Sequence, residues 1–315
     1  MYSFLNSDIN IIEKELEETI QPESLLLRQA SMHTLQAGGK RIRPVFVLLA
    51  GKFGYYDIQI MKNVAVALEL IHMASLVHDD VIDDADIRRG QPTVKSKWDN
   101  KVAMYTGDFV FALALELMTN IDKTAAHKIL ANTIVEVTLG EIQQIKDKYR
   151  FNQNLRDYLR RIKRKTALLI AASCQIGAIA ADVEESIHKR LFRFGYYVGM
   201  SYQIIDDILD FTSTEKELGK PAGSDLLQGN ITAPVLYALK DGDIRNQIEK
   251  VNENMGAQEI GKIITLIKKS GAIEKSLALS DRYLEKALAV LEELPENKAQ
   301  KTLRDIAKYI GKRKF

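Results

Sequence analysis

Leu70-Ile71-His72-Met73-Ala74-Ser75-Leu76-Val77-His78-Asp79-Asp80-Val81-Ile82-Asp83 is an apolar run that ends abruptly in carboxylates. Helical spacing puts His72, Leu76, Asp79 and Asp83 on one face, with Asp79 and Asp83 one turn apart. Like charges at that spacing destabilise a helix. The pair therefore needs a counter-ion, and a hard divalent cation that takes oxygen ligands is the natural one. Taken alone, the cluster reads equally well as a solvated acidic helix end. The same pattern recurs at Asp206-Asp207-Ile208-Leu209-Asp210, again below an apolar run, where Gly199, Gln203, Asp206 and Asp210 share a face. Aspartate is a poor helix former, and its recurrence in this position weighs against two unrelated helix ends. Two such helices side by side bring their carboxylates to one end of a bundle. Mg²⁺ keeps several waters and binds through one or two carboxylates plus substrate phosphates. The two clusters thus imply a di- or polyphosphate held through metal ions.

The surrounding sequence is permissive for such helices. Only six prolines occur, and the stretch from Thr93 to Lys220 has none; it is rich in strong helix formers. Strand alternation bounded by turn pairs is missing throughout. The pattern predicts an all-α fold, a large helical bundle with helices over roughly 5–19, 24–37, 42–54, 59–85, 101–119, 124–148, 153–181, 183–213, 231–241, 256–269, 273–293 and 297–311. Gly38-Gly39, 88–97 and 216–230 carry the Gly and Pro residues of irregular segments. No composition shift or linker marks a boundary, so residues 1–315 read as a single domain.

Composition removes several function classes. With 44 Lys+Arg against 42 Asp+Glu the net charge is +2, which argues against a dedicated nucleic-acid partner. A single cysteine, Cys174, excludes an internal disulfide and a cysteine-rich metal site, in keeping with a reducing cytoplasm. Met1 to Glu18 reads as an amphipathic helix start rather than a targeting segment, and the longest uncharged stretch, Thr166 to Ala181, is too short for a bilayer span. A soluble, cytoplasmic protein is expected.

A phosphate site also needs cations. Gly38-Gly39-Lys40-Arg41-Ile42-Arg43-Pro44 is a glycine turn followed by three basic residues that lead into a helix; glycine lets backbone approach an anion, Arg offers paired donors and Lys a point charge. Alone, it reads as readily as a helix stop and a solvated start. Arg88-Arg89-Gly90-Gln91-Pro92 lies just beyond the first acid cluster. From Lys148 to Lys165 stand eight basic residues, read mostly as a solvated face, although Tyr158, Ile162 and Lys165 share a stripe and Lys165-Thr166 leads into apolar Ala167 to Ala172. The segment Leu218 to Leu226, with Lys220, suits a mobile lid or a plain interhelical loop.

Taken in order, Gly38–Pro44, the aspartates at 79–83, Arg88-Arg89-Gly90, Gly140-Glu141-Ile142-x-Gln144, Lys165-Thr166, Gln203-x-x-Asp206-Asp207-x-x-Asp210 and Gly219-Lys220-Pro221 resemble the motifs of the trans-isoprenyl diphosphate synthases over nearly the whole chain. The subgroup most resembled is the catalytic large subunits of bacterial heptaprenyl and hexaprenyl synthases, which make menaquinone side chains. The resemblance implies that Asp79, Asp83 and Asp206 ligate three Mg²⁺ ions, supported by Asp80, Asp207 and Asp210. It implies further that Arg88, Lys165, Thr166, Gln203 and Lys220 contact the allylic diphosphate. Lys40, Arg43, His72 and Arg89 would bind isopentenyl diphosphate. It also implies a homodimer, or a heteromer with a small non-catalytic subunit, and delivery of the product to membrane enzymes. Asn230 stands where short-chain members carry Lys, which bears on the role of Lys220.

Short-chain relatives block the product path with aromatics four and five positions before the first aspartate; here those positions are the small Ser75 and Ala74, with Ile71, Leu68 and Ala67 beyond. A product of six to eight isoprene units, seven by preference, is expected. Two other readings compete: a class I terpene cyclase, which needs no isopentenyl site, and a non-catalytic subunit, from which motif aspartates are typically lost.

Overall fold

The computed structural model describes residues 3–214 and 222–312. Among these residues the only strands are Ile87–Arg88 and Gln91–Pro92, which pair antiparallel, and helices make up the rest of the regular structure, so the fold is all-α. The described residues fall into two compact units. One holds those up to Leu130, together with Ala172–Phe192 and Pro295–Thr302; the other holds Ala131–Ala171, those from Arg193 to Leu294, and those from Leu303 on.

In the first unit α1 (Asn6–Thr19), α2 (Leu25–Gln36), α3 (Ile42–Gly51), α4 (Ile58–Ile82), α5 (Val94–Lys97) and α6 (Asn100–Met118) follow one another. Helix α4 is central and packs against α1, α3 and α6. Asp57 starts it by accepting from the Gln59 amide at 2.9 Å. From Val64 to Leu68 every side chain is fully buried, as expected of a helix that is apolar all round. Among the described helices it is the one long and apolar enough to cross a membrane, but 67% of its most apolar stretch lies inside the protein. The helix stops at Asp83, so the first aspartate cluster occupies its last turn. Asp99 then caps α6 through the Val102 amide at 2.7 Å.

The second unit takes residues from α7 (Thr124–Asp147), α9 (Leu168–Ala180) and α10 (Glu185–Thr212), together with α8 (Leu155–Ile162) and the helices at Ser224–Leu227, Ala233–Ala238, Gly242–Ile248, Ala257–Lys269 and Ala272–Glu292. The helix expected over 153–181 is present without interruption from Leu155 to Ala180, with two local features. It begins at Leu155 because Asn154 and Asp157 form a reciprocal capping box, and Lys163–Ala167 forms a widened π turn between α8 and α9. Tyr158, Ile204, Ile208 and Phe211 are buried in its core with Ile231, Ile248 and Ile267.

Candidate active site

The first unit contains an open pocket lined among others by His72, Met73 and Asp80 of α4, by Arg41 before α3, and by Arg88 and Arg89. Local conformation explains how the arginines reach it. Arg89 and Gly90 are the two loop residues of the hairpin, and both have positive φ, +53° and +74°; this is the type I′ turn whose twist suits a two-residue connection. Such strands are too short to show alternation, which is why the segment reads as irregular in the sequence. Gly39 lies beneath: a Cβ there would stand 2.9 Å from Arg89 Nη1 and 3.2 Å from Arg41 Nη1. The His33 ring is 2.7 Å from the Pro92 carbonyl and meets Trp98 edge-on, tying the far strand of the hairpin to α2.

The charge of this pocket is concentrated. Burial, followed by the positive charges of Arg43, Arg89, Arg88 and Arg41, holds the His72 imidazole well below its ordinary range, so it is neutral at pH 7. Arg88 Nε donates to Asp80 Oδ1 at 2.7 Å. Burial pushes the Asp80 carboxyl up, Arg88 opposes that shift, and Asp79 and Asp83 add to it. Lys95 pairs with both Asp84 and Asp86, which separates those two acids from the motif; Asp79 and Asp83 are partly exposed at the end of α4. His78 bridges to α6, its Nε2 lying 3.2 Å from the Met104 carbonyl and 3.3 Å from Asp108. Lys40 is exposed on the turn before Arg41. Ala74 and Ile71 are buried in α4, and Ser75 donates back to the His72 carbonyl at 2.8 Å.

In the second unit the motif residues divide by environment. Asp206 is exposed, while Asp207 and Asp210 are buried. Asp207 Oδ2 accepts from Tyr158 Oη at 2.6 Å and Oδ1 from Gln203 Nε2 at 2.8 Å. Thr166 Oγ1 donates to Gln203 Oε1 at 2.6 Å, extending the chain of hydrogen bonds to the π turn. Burial, then the charge of Asp225, pushes the Asp207 carboxyl up to about 8, against the two hydrogen bonds it accepts. Gln203 thus turns towards Asp207, one turn on, rather than along the face it shares with Asp206 and Asp210. Asp210 accepts from Ser224 Oγ at 3.1 Å and the Asp225 amide at 3.2 Å, anchoring the helix that follows. A Cβ on Gly199 would lie 2.6 Å from the Ala167 Cα, so glycine there lets α10 close on the π turn. Lys165 Nζ is 2.9 Å from Glu141 Oε2; Glu141 links α7 to the turn. Lys220 lies outside the described residues, and Asn230 donates its amide to the Asp225 carbonyl at 2.8 Å.

Several residues of these networks escaped the sequence. Arg161, counted among a solvated basic face, is buried and donates to Gln153 at 2.7 Å and to the Ile231 carbonyl at 2.5 Å. Buried Arg41 and Glu69 form an ion-pair cluster with the half-exposed Glu13; a lone Glu69 inside the apolar run Val64–Leu70 was its signal, because a buried carboxylate needs a partner.

Among the described residues no three acidic or histidine side chains gather closely enough to bind a cation unaided. The donor set nonetheless fits Mg²⁺, whose small, hard ion takes carboxylate oxygens singly and completes its shell with water and phosphate. Asp79 and Asp83 in the first unit, and Asp206 in the second, are motif carboxylates that are not fully buried.

Comparison with known proteins shows the family. The family model "Polyprenyl synthetase" matches residues 24–269. The chain is 65% identical over 314 residues to heptaprenyl diphosphate synthase component 2 of Bacillus subtilis (strain 168), covering 100% of this chain and 90% of that one. It superposes on the crystal structure of heptaprenyl diphosphate synthase from Staphylococcus aureus with a TM-score of 0.95 at 45% identity, covering 99% of each chain. A polyprenyl synthase from Caulobacter crescentus CB15, solved with calcium and isoprenyl diphosphate, gives a TM-score of 0.95 at 30% identity over 99% of this chain and 96% of that one. The chain belongs to the polyprenyl synthetase family, the trans-polyprenyl diphosphate synthases.

Proposed function

We propose that the protein adds successive isopentenyl diphosphates to an allylic primer, farnesyl diphosphate, and releases all-trans heptaprenyl diphosphate for menaquinone side chains. One observation supports the assignment of the substrate site: a pocket that has Asp80 of the first aspartate cluster in its wall is also lined by neutral His72 and by Arg89, with Arg88 and Arg41 beside them. A cyclase that rearranges one allylic diphosphate has no use for a second anion site there.

Members of the family generally depend on Mg²⁺. Asp79, Asp83 and Asp206 would hold three ions, with Asp80, Asp207 and Asp210 fixing the helices that carry them. When bound, the metal neutralises the diphosphate leaving group. The chain's own residues do the rest. Lys40, Arg43 and Arg89 bind isopentenyl diphosphate by charge-assisted hydrogen bonds, and neutral His72 offers one ring N–H without adding charge. Arg88, Lys165 and Lys220, with Thr166 and Gln203, bind the allylic diphosphate and stabilise it as it departs. Apolar side chains of α4, among them Ile71 and Ala74, keep water from the allylic carbon while the isopentenyl double bond attacks it. The departing diphosphate takes the proton lost in the final step. The relative from Bacillus is named as a component 2, which supports a heteromer of this chain with a small non-catalytic subunit over a homodimer.

The test is incubation of the purified full chain, alone and with a candidate small subunit, with farnesyl diphosphate, labelled isopentenyl diphosphate and Mg²⁺. A thirty-five-carbon product is expected. No elongation in either arm contradicts the reading.

A further inference from the structure

Arg41 lines the same pocket as His72, Arg88 and Arg89, yet its donors point elsewhere. Nε and Nη2 reach the two oxygens of Glu13 on α1 at 2.7 and 3.3 Å. Nη1 donates to Glu69 Oε1 on α4 at 3.1 Å, and Nη2 also donates to the Leu35 carbonyl in the last turn of α2 at 3.3 Å. Three helices of the first unit thus meet on one guanidinium, in a residue 9% exposed. Burial works against its charge, but the hydrogen bonds and charges of Glu13 and Glu69 more than offset this and hold the group above its usual range. Its positive charge is already balanced by two carboxylates.

The backbone adds a second observation. Arg41 has φ +46°, a left-handed conformation that a long side chain adopts only where its surroundings force it. The three-way grip supplies that force. Arg41 stands between Lys40 and Arg43 at the entrance to α3, and Gly39 sits against its guanidinium and that of Arg89. Glu69 is one turn from His72 on α4, so the clamp and the imidazole share a wall of the pocket.

We propose that Arg41 is a positioning residue for isopentenyl diphosphate: clamped by Glu13 and Glu69, it holds the 38–43 turn in its left-handed form and so sets where Lys40 and Arg43 present their charge. This rests on reading the pocket as the isopentenyl diphosphate site. It makes the N-terminal helix, through Glu13, part of that site although α1 lines none of it.

The experiment is steady-state kinetics on the full chain, with the small subunit where activity needs it, for Glu69→Gln, Glu13→Gln and Arg41→Lys, with thermal unfolding in parallel. Each is expected to raise the isopentenyl KM about tenfold, the loss of one well-placed charged contact. The allylic KM and kcat should stay within about twofold. An unchanged isopentenyl KM, or an equal rise in both KM values that tracks a lower Tm, overturns the proposal. Glu13, whose side chain is 41% exposed, keeps the test open if the buried Glu69 change unfolds the chain. Arg89→Ala separates the two levels. If it too leaves the isopentenyl KM unchanged, the pocket assignment fails; if it alone raises that KM, only the clamp fails.

Discussion

Gly39 shows how much of the pocket depends on one missing methyl group. The nearest atoms to a Cβ there are the ends of flexible guanidinium groups, so Gly39→Ala displaces Arg89 rather than the backbone. It should raise the isopentenyl KM several-fold, by roughly 1 kcal/mol, and leave the unfolding midpoint nearly unchanged; a large drop in Tm with normal KM would count against this picture. His72 gives a pH signature. Its imidazole is held well below the ordinary value by burial and four arginines, so below about pH 6.5 the unfolded chain binds a proton there that the folded chain does not. Stability from this group is complete above that pH and is lost on acidification, by up to about 1.4 kcal/mol per pH unit. Urea unfolding at pH 7.5 and 5.5 should show a shallower decline for His72→Gln than for the parent chain.

At the level of elements, α4 and the π turn carry separate tasks. Side chains above Asp79 advance about 1.5 Å per residue along α4, and Ala74 is small and buried. Ala74→Phe should shift the released product to shorter chains in mass spectra, at a packing cost of about 1–3 kcal/mol; unchanged heptaprenyl release would exclude α4 as the determinant of length. Tyr158→Phe removes the donor to Asp207. It should lower stability by about 1–3 kcal/mol in denaturant titrations and raise the allylic KM more than the isopentenyl KM, since the same chain of bonds reaches Thr166. The long elements were legible in the sequence because α4, α6 and α10 bury apolar faces of helical period. The π turn was not, since Lys163 to Ala167 carries no Gly or Pro and its widening follows from packing, with Gly199 against Ala167. The short helices at Ser224–Leu227 and Gly242–Ile248 are likewise set by caps from Asp210 and Asp241, which a periodicity scan over so few residues does not register.

Across the whole molecule, near-neutral charge, 44 basic against 42 acidic residues, conceals local segregation: an arginine-lined pocket, partly exposed Asp79 and Asp83, exposed Asp206, and buried acids that serve as struts. The sequence could locate these clusters, because their residue types and spacing are local. Local spacing alone does not divide ligands from supports, because burial of Asp207 or Arg161 depends on residues far along the chain; only the family resemblance proposed that division. The assignment of the two diphosphates to separate sites can be measured by calorimetric titration of isopentenyl diphosphate into the full chain in the presence of Mg²⁺. One site per chain is expected, weakened about tenfold or more by Arg89→Ala, the loss of a charged hydrogen-bond donor, and changed less than about twofold by Lys165→Ala. Wild-type affinity in Arg89→Ala, or equal weakening by both substitutions, would contradict the assignment of the arginine-lined pocket to isopentenyl diphosphate.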